Sequence, residues 1–179
     1  MPYEILTLQL RAVANGQTYS RDTPAGEIEV TINDVEIYPS GNRLVVGVNL
    51  KADFPSSALD TKGSVYLIGT PVVERGTTIS LPDLAFTRVL DNDFWNAATA
   101  VLEGPILKAL KKAATHDLTA DIVSAKEKLD QTLKDPTSTP GLEVVLDNVS
   151  MALGRVAVEE KALSVEALFS ANASIKAKP

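Results

Sequence analysis

The chain contains no cysteine. Disulfides, thiolate metal sites and cysteine nucleophiles are therefore excluded, although the absence identifies no compartment by itself. Histidine occurs once, at His116, so a paired-histidine zinc motif is excluded too. No run of about 18 apolar residues occurs, and no helical membrane span is expected. The opening MPYEILTLQL lacks a basic segment followed by a long apolar one, so no signal peptide is expected there. Basic residues are in the minority. Lys and Arg total 17 against 23 Asp and Glu, a net charge of -6. That balance disfavours a nucleic-acid partner, which needs a basic surface, and disfavours docking on an anionic membrane. There is no Gly-x-Ser-x-Gly elbow, EF-hand loop or phosphate-binding glycine loop, and Gly63, Gly69 and Gly76 fall in strand and turn patterns.

What is present is apolar pattern. Apolar residues make up 45% of 179, enough for one domain with a sizeable core. No repeat period and no Gly-, Ser- or Pro-rich linker divides the chain, so a single domain over residues 1–179 is expected. The longest helical pattern is NDFWNAATAVLEGPILKALKKAA, residues 92–114. Trp95, Ala98, Leu102, Ile106, Ala109 and Leu110 recur at helical spacing and form one apolar stripe. Asp91 and Asp93 stand where N-caps stand, a simpler role than a paired-carboxylate site. Pro105 lacks the N–H that would bond the carbonyl of Val101, so the helix should bend there, unless two shorter helices meet at that point. A second, more charged helix follows. It has Leu118, Ile122, Ala125, Leu129 and Leu133 on one face and should lie at the surface.

Most of the rest reads as strand. Residues 3–13 alternate and are taken as a strand, and polar residues 17–26 as a loop. Ile28, Val30 and Ile32 alternate with polar neighbours, and Val35 and Ile37 continue on the other parity. The slip at Asn33-Asp34 predicts a bulge, because a one-residue shift exchanges faces. Leu44, Val46, Val48 and Leu50 form the return strand after a turn at 39–42, and residues 55–62 read as a polar loop. Residues 65–73 form another strand, 74–77 turn, and the extended segment 79–89 should be interrupted by Pro82. From Leu163 to Ala177 every odd position is apolar, a strand of roughly 45 Å. Before it runs a long strand, residues 142–158, with a break expected at Gly154-Arg155. Strands this long suit a strongly curved antiparallel sheet. The expected fold is thus α+β, a long-stranded curved sheet wrapped around one kinked helix, with a second amphipathic helix.

The order of these segments adds a resemblance. GNRLVVGVNLKADFP, GSVYLIGTPVV, DNDFWNAATAVLEGPILKAL and DLTADIVSAKEKLDQTL, followed by the closing strand pair, resemble the C-terminal portion of a bacterial family, domain-of-unknown-function family 4403. The layout also resembles the tubular lipid-binding superfamily of the bactericidal permeability-increasing type. There a curved sheet holds a long helix, with acyl chains between them. These resemblances imply a periplasmic or cell-envelope setting, a longer parent chain with a neighbouring domain, and a lipid or other apolar ligand as partner. A bacterial setting also makes the Asn172-Ala173-Ser174 glycosylation pattern a coincidence.

No catalytic, metal or cofactor residue emerges. His116 with Asp117 beside it reads as a surface or helix-terminal pair, and a catalytic role for it is the weaker alternative. Candidate apolar-groove residues are Trp95, Ala98, Leu102 and Ile106 on the helix and Phe169, Ala171 and Ala173 on the last strand. Trp95 and Phe169 are expected in the interior. Small residues at Ala98, Ala167, Ala171 and Ala173 either leave a channel for the ligand or simply let helix and sheet pack closely. Two functions follow: binding of an apolar ligand, or an envelope interaction module whose core is filled by its own side chains.

Overall fold

Residues Arg43–Asp53 form the strand beside which the first part of the molecule is laid. Five consecutive positions, Leu44 to Val48, are buried, so this strand is covered on both faces along half its length. The computed structural model describes residues 1–23, 26–53, 61–87, 102–135 and 140–177. They form two compact units. The first comprises Met1–Val72, Ser80–Thr115 and Ala157–Ser164; the second comprises Val73–Ile79, His116–Val156 and Val165–Pro179. The architecture is α+β with more strand than helix, and its largest element is a curled antiparallel sheet.

That sheet has five strands, β1 (Thr18–Thr23), β2 (Gly26–Ser40), β3 (Arg43–Asp53), β4 (Thr61–Gly69) and β7 (Ala85–Phe86), in the order β1-β2-β3-β4-β7. All four pairings are antiparallel. The predicted hairpin is present, with Tyr38 opposite Val45 and Ile37 opposite Val46, and so is its bulge between Ile32 and Asp34. The bulge keeps Ile28, Val30, Ile32, Val35 and Ile37 all buried although their parity changes midway. At Gly47 a Cβ would lie 3.1 Å from Glu36 Cγ, so the missing side chain lets the Glu36 stem cross the strand. Pro82 interrupts the expected extended segment, which becomes β6 (Thr78–Ser80), a turn, and β7.

Two sequence expectations fail in the first unit. Residues 3–13 form no strand but a helix, α1 (Tyr3–Ala14). Leu10 and Ala14 are buried while Leu8 is 63% exposed, a helical division of residues that alternation would place together. Thr7, a polar residue on the buried stripe, disguises the helical period. Its hydroxyl accepts a hydrogen bond of 3.0 Å from the Ile37 N–H. Arg11 holds both Asp34 carboxylate oxygens at 2.7 and 2.9 Å and donates to the Val35 carbonyl at 3.0 Å. The helix therefore covers the edge of β2 where β1 does not reach. Polar residues 17–26 are likewise no simple loop, since Thr18–Thr23 pair with β2 from Thr18↔Thr31 to Thr23↔Gly26.

Of the long helix expected over 92–114, residues 92–101 lie outside the described residues, as do the caps Asp91 and Asp93. Residues 54–60, most of the loop expected at 55–62, lie outside them too. What is described begins with a π-helical turn at Leu102–Ile106 that contains Pro105, followed by α2 (Leu107–Ala113). Ile106 and Leu110 are 0% and 1% exposed. Each burial is worth roughly 2 kcal/mol on a transfer scale. Near the end of α2, Lys111 donates to the Pro82 carbonyl at 2.8 Å.

In the second unit, β6 pairs with the two-residue β8 (His116–Asp117) and with β5 (Val72–Glu74), most of which lies in this unit. The turn between β5 and β6 needs left-handed backbone at Arg75 and Gly76, with φ of 54° and 69°. The second helix is present as α3 (Thr119–Lys134), with Ile122 buried and Leu118, Ala125, Leu129 and Leu133 half-buried. Both long strands are also present. β9 (Leu142–Val158) and β10 (Leu163–Ala177) form a two-stranded sheet of 17 and 15 residues. The expected break at Gly154-Arg155 is absent. Glycine serves a different need there, because a Cβ at Gly154 would lie 3.0 Å from Glu166 Oε2 and 3.1 Å from Leu168 Cγ.

Candidate functional site

The candidate residues fall into three groups. Trp95 and Ala98 lie outside the described residues. Leu102 opens the π-helical turn, and Ile106 closes it within the core of the first unit. Phe169, Ala171 and Ala173 share one face of β10 in the second unit, two residues apart. That face is open. Phe169 is 48% exposed rather than enclosed, Ile175 is 63% exposed, and Ala171 is half-buried.

The same face continues onto β9. Gly154 stands against Glu166 and Leu168, so even positions of β10 share a side with Gly154. The odd positions of β10 therefore share the opposite side with Val149, Met151 and Leu153. Asn148 has φ of 54°, left-handed backbone inside a strand, and the burial parity slips at that point. Val144 and Leu146 are half-buried before it, and Val149, Met151 and Leu153 after it. The irregularity at Asn148 thus brings two runs of opposite parity onto one apolar face, as the bulge at Asn33 does in β2. Alternation had marked residues 142–158 as strand but left this slip unread, although the signal, an Asn between two out-of-phase apolar runs, is the one that identified Asn33.

Where α3 ends and β9 begins, Asp130 and Leu133 and residues 142–146 line a partly open pocket of about 350 Å³. Its size is at the low end for small-molecule sites. Leu133, Leu142, Val144, Val145 and Leu146 supply its apolar lining, and Asp130 and Glu143 its charges, both negative.

His116 pairs in the ladder with Ile79. The Asp117 carboxylate accepts from the Thr119 N–H at 2.9 Å and the Thr119 hydroxyl at 2.6 Å, so it caps the start of α3 rather than orienting an imidazole. The Thr119 hydroxyl and N–H, with the His116 ring adding to them, hold the Asp117 carboxyl below the usual range. Among the described residues no three His, Asp or Glu side chains gather where they could hold a metal ion. No described helix is long and apolar enough to cross a membrane.

A family model with the description Domain of unknown function (DUF4403) matches residues 1–177. No curated protein and no solved structure matches the chain.

Proposed function

The chain belongs to that family of unknown function, and from this premise we propose that it binds a lipid or another apolar ligand in the bacterial cell envelope, without catalysing a reaction. The observation that carries the reading is the apolar face of β9 and β10. Phe169, Ala173 and Ile175 are exposed on one strand with Ala171 half-buried between them, and half-buried Val149, Met151 and Leu153 lie on its neighbour. Water contact on such a face costs about 25 cal/mol per Å², and an acyl chain laid along it removes that cost. Alanine at 171 and 173 leaves a shallow trough beside Phe169 in which a chain of methylenes can lie. The envelope setting rests on the resemblance of the sequence to envelope proteins. The finer fold reading, a bent helix held by the curled sheet in the manner of the tubular lipid-binding superfamily, belongs to this proposal. The π-helical turn at Pro105 and the burial of Ile106 and Leu110 support it.

The test uses the full chain purified from bacteria. Native mass spectrometry should find a bound lipid, and delipidated protein should take up a fluorescent fatty acid. Phe169→Asp should weaken that uptake about tenfold while leaving the far-UV spectrum unchanged. Absence of both retained lipid and uptake would overturn the reading. One observation favours a second reading, an interaction module with a self-filled core. Leu10, Ile32, Ile106 and Leu110 fill the first unit at 0–1% exposure. That reading predicts no lipid under any of these conditions.

A further inference from the structure

We propose that the outer edge of β10 pairs with the same edge of a second copy of this chain, antiparallel and centred on Ala171. A strand edge with open N–H and C=O groups is a template for another strand, and proteins ordinarily blunt it. This chain does so elsewhere, where α1 covers the edge of β2 beyond β1. Among the described residues nothing covers β10 in that way beyond Ser164. Among the described residues β9 is the one strand paired with it, and over 15 residues it carries no proline and two charges, Glu166 and Lys176.

Hydrogen bonds identify which groups face outward. The Ala162 carbonyl accepts from the Glu159 N–H on the β9 side, at 3.0 Å. Leu163 turns the other way, exchanging two bonds with Met1 at 2.9 and 2.6 Å. Odd residues of β10 therefore present their backbone groups to the outer edge. Met1 and Pro2 occupy that edge at Leu163 and Ala162, and among the described residues no strand pairs with it over 165–177.

The midpoint of that stretch is Ala171. Pairing it with itself sets each residue against the one equally far from 171. Two independent features fit this register. Glu166 falls opposite the partner's Lys176, and the two-fold repeats the pair, so every charge on that stretch is matched. On the apolar face each large residue meets a small one: Phe169 against Ala173 of the partner subunit, Ile175 against Ala167 of the partner subunit, and Ala171 against itself. Moving the centre by one residue loses the charge match. The two apolar faces then lie on one side of a four-stranded sheet, joined by about fourteen backbone hydrogen bonds. The backbone edge and the side chains flanking it make this contact, which holds whether or not the face takes a ligand.

Sedimentation velocity on the full chain across a concentration series should find a monomer–dimer equilibrium. Lys176→Glu should raise the dimer Kd about tenfold, and Glu166→Lys should do the same, because each sets like charges opposite one another. The double exchange Glu166→Lys with Lys176→Glu should restore the dimer. Since the chain lacks cysteine, Ala171→Cys introduces one thiol beside the two-fold. It should cross-link to its own copy with a short bifunctional thiol reagent, and Val165→Cys should not. A monomer at all concentrations, or a dimer indifferent to the charge variants and not cross-linked through 171, overturns the proposal.

Discussion

Single residues decide where these strands keep or change face, and two asparagines do it by different means. Asn148 sits at φ 54°, whereas Asn33 bulges without positive φ. Left-handed backbone is tolerated by Asn and Gly and costs a β-branched residue about 1–2 kcal/mol. Asn148→Val should therefore destabilise the second unit by about that amount in urea unfolding, Asn148→Gly should be close to neutral, and Asn33→Ala should cost less than Asn148→Val. Equal costs at both positions would show that the φ at Asn148 is not what holds the face together. Asn33 was legible in the sequence because strict alternation on both sides made its slip visible. Asn148 was hidden because β9 is apolar at adjacent positions, Val144 with Val145, Met151 with Ala152, so no parity stood out.

At the scale of elements, legibility followed burial on one face. The β2–β3 hairpin, α3 and the full length of β10 could be read because their apolar and polar positions separate at a single period. β1 could not, because Thr18–Thr23 is a polar edge strand stabilised by ladder bonds to β2 rather than by burial. α1 could not, because Leu6, Leu8 and Leu10 imitate alternation. Its helical character makes a sharp prediction. Leu8 and Leu10 would share a face in a strand, but in the helix Leu10 is core and Leu8 meets water. Leu10→Ala should cost about 3 kcal/mol, whereas Leu8→Ser should stay within about 0.5 kcal/mol of the parent in denaturant melts. Comparable losses at the two sites would contradict the helix. Of the candidate groove residues, what alternation made legible is a shared strand face. Phe169, Ala171 and Ala173 do share a face, but the pattern of one strand carries no information about whether anything lies over it, and here their face is open.

The whole molecule responds to acid through its paired carboxyls. At Asp34 partial burial pushes the pKa up, but the Arg11 hydrogen bonds, the Asn15 amide and the Val35 backbone outweigh it, and the result lies below the usual value. At Asp83 burial is likewise outweighed, by the Thr70 N–H and hydroxyl and by Arg43. Carboxyls whose folded pKa is depressed contribute stability above the unfolded value, and that contribution is lost as pH falls through the folded value. Stability should thus be flat near neutrality and decline below about pH 4. Arg11→Ala should make the decline shallower, by at most about 1 kcal/mol because the pair is 40% exposed on each side. A steeper decline in the variant would refute the assignment. The two units should also differ in resistance to opening. Among the described residues the fully covered apolar side chains belong to the first unit except Ile79 and Ile122. A long two-stranded ribbon with so little core is marginal in water. In dilute, delipidated protein, amide hydrogen exchange should therefore be slowest in β3 and orders of magnitude faster in residues 142–156 and 165–177. A fatty acid lying along Phe169 would slow both strands of the ribbon together. A second copy on the outer edge would instead slow the odd residues of β10, whose N–H groups point there, and leave β9 largely as it was. If the ribbon exchanges as slowly as β3 with neither present, its stability comes from contacts other than those proposed for its face and its edge.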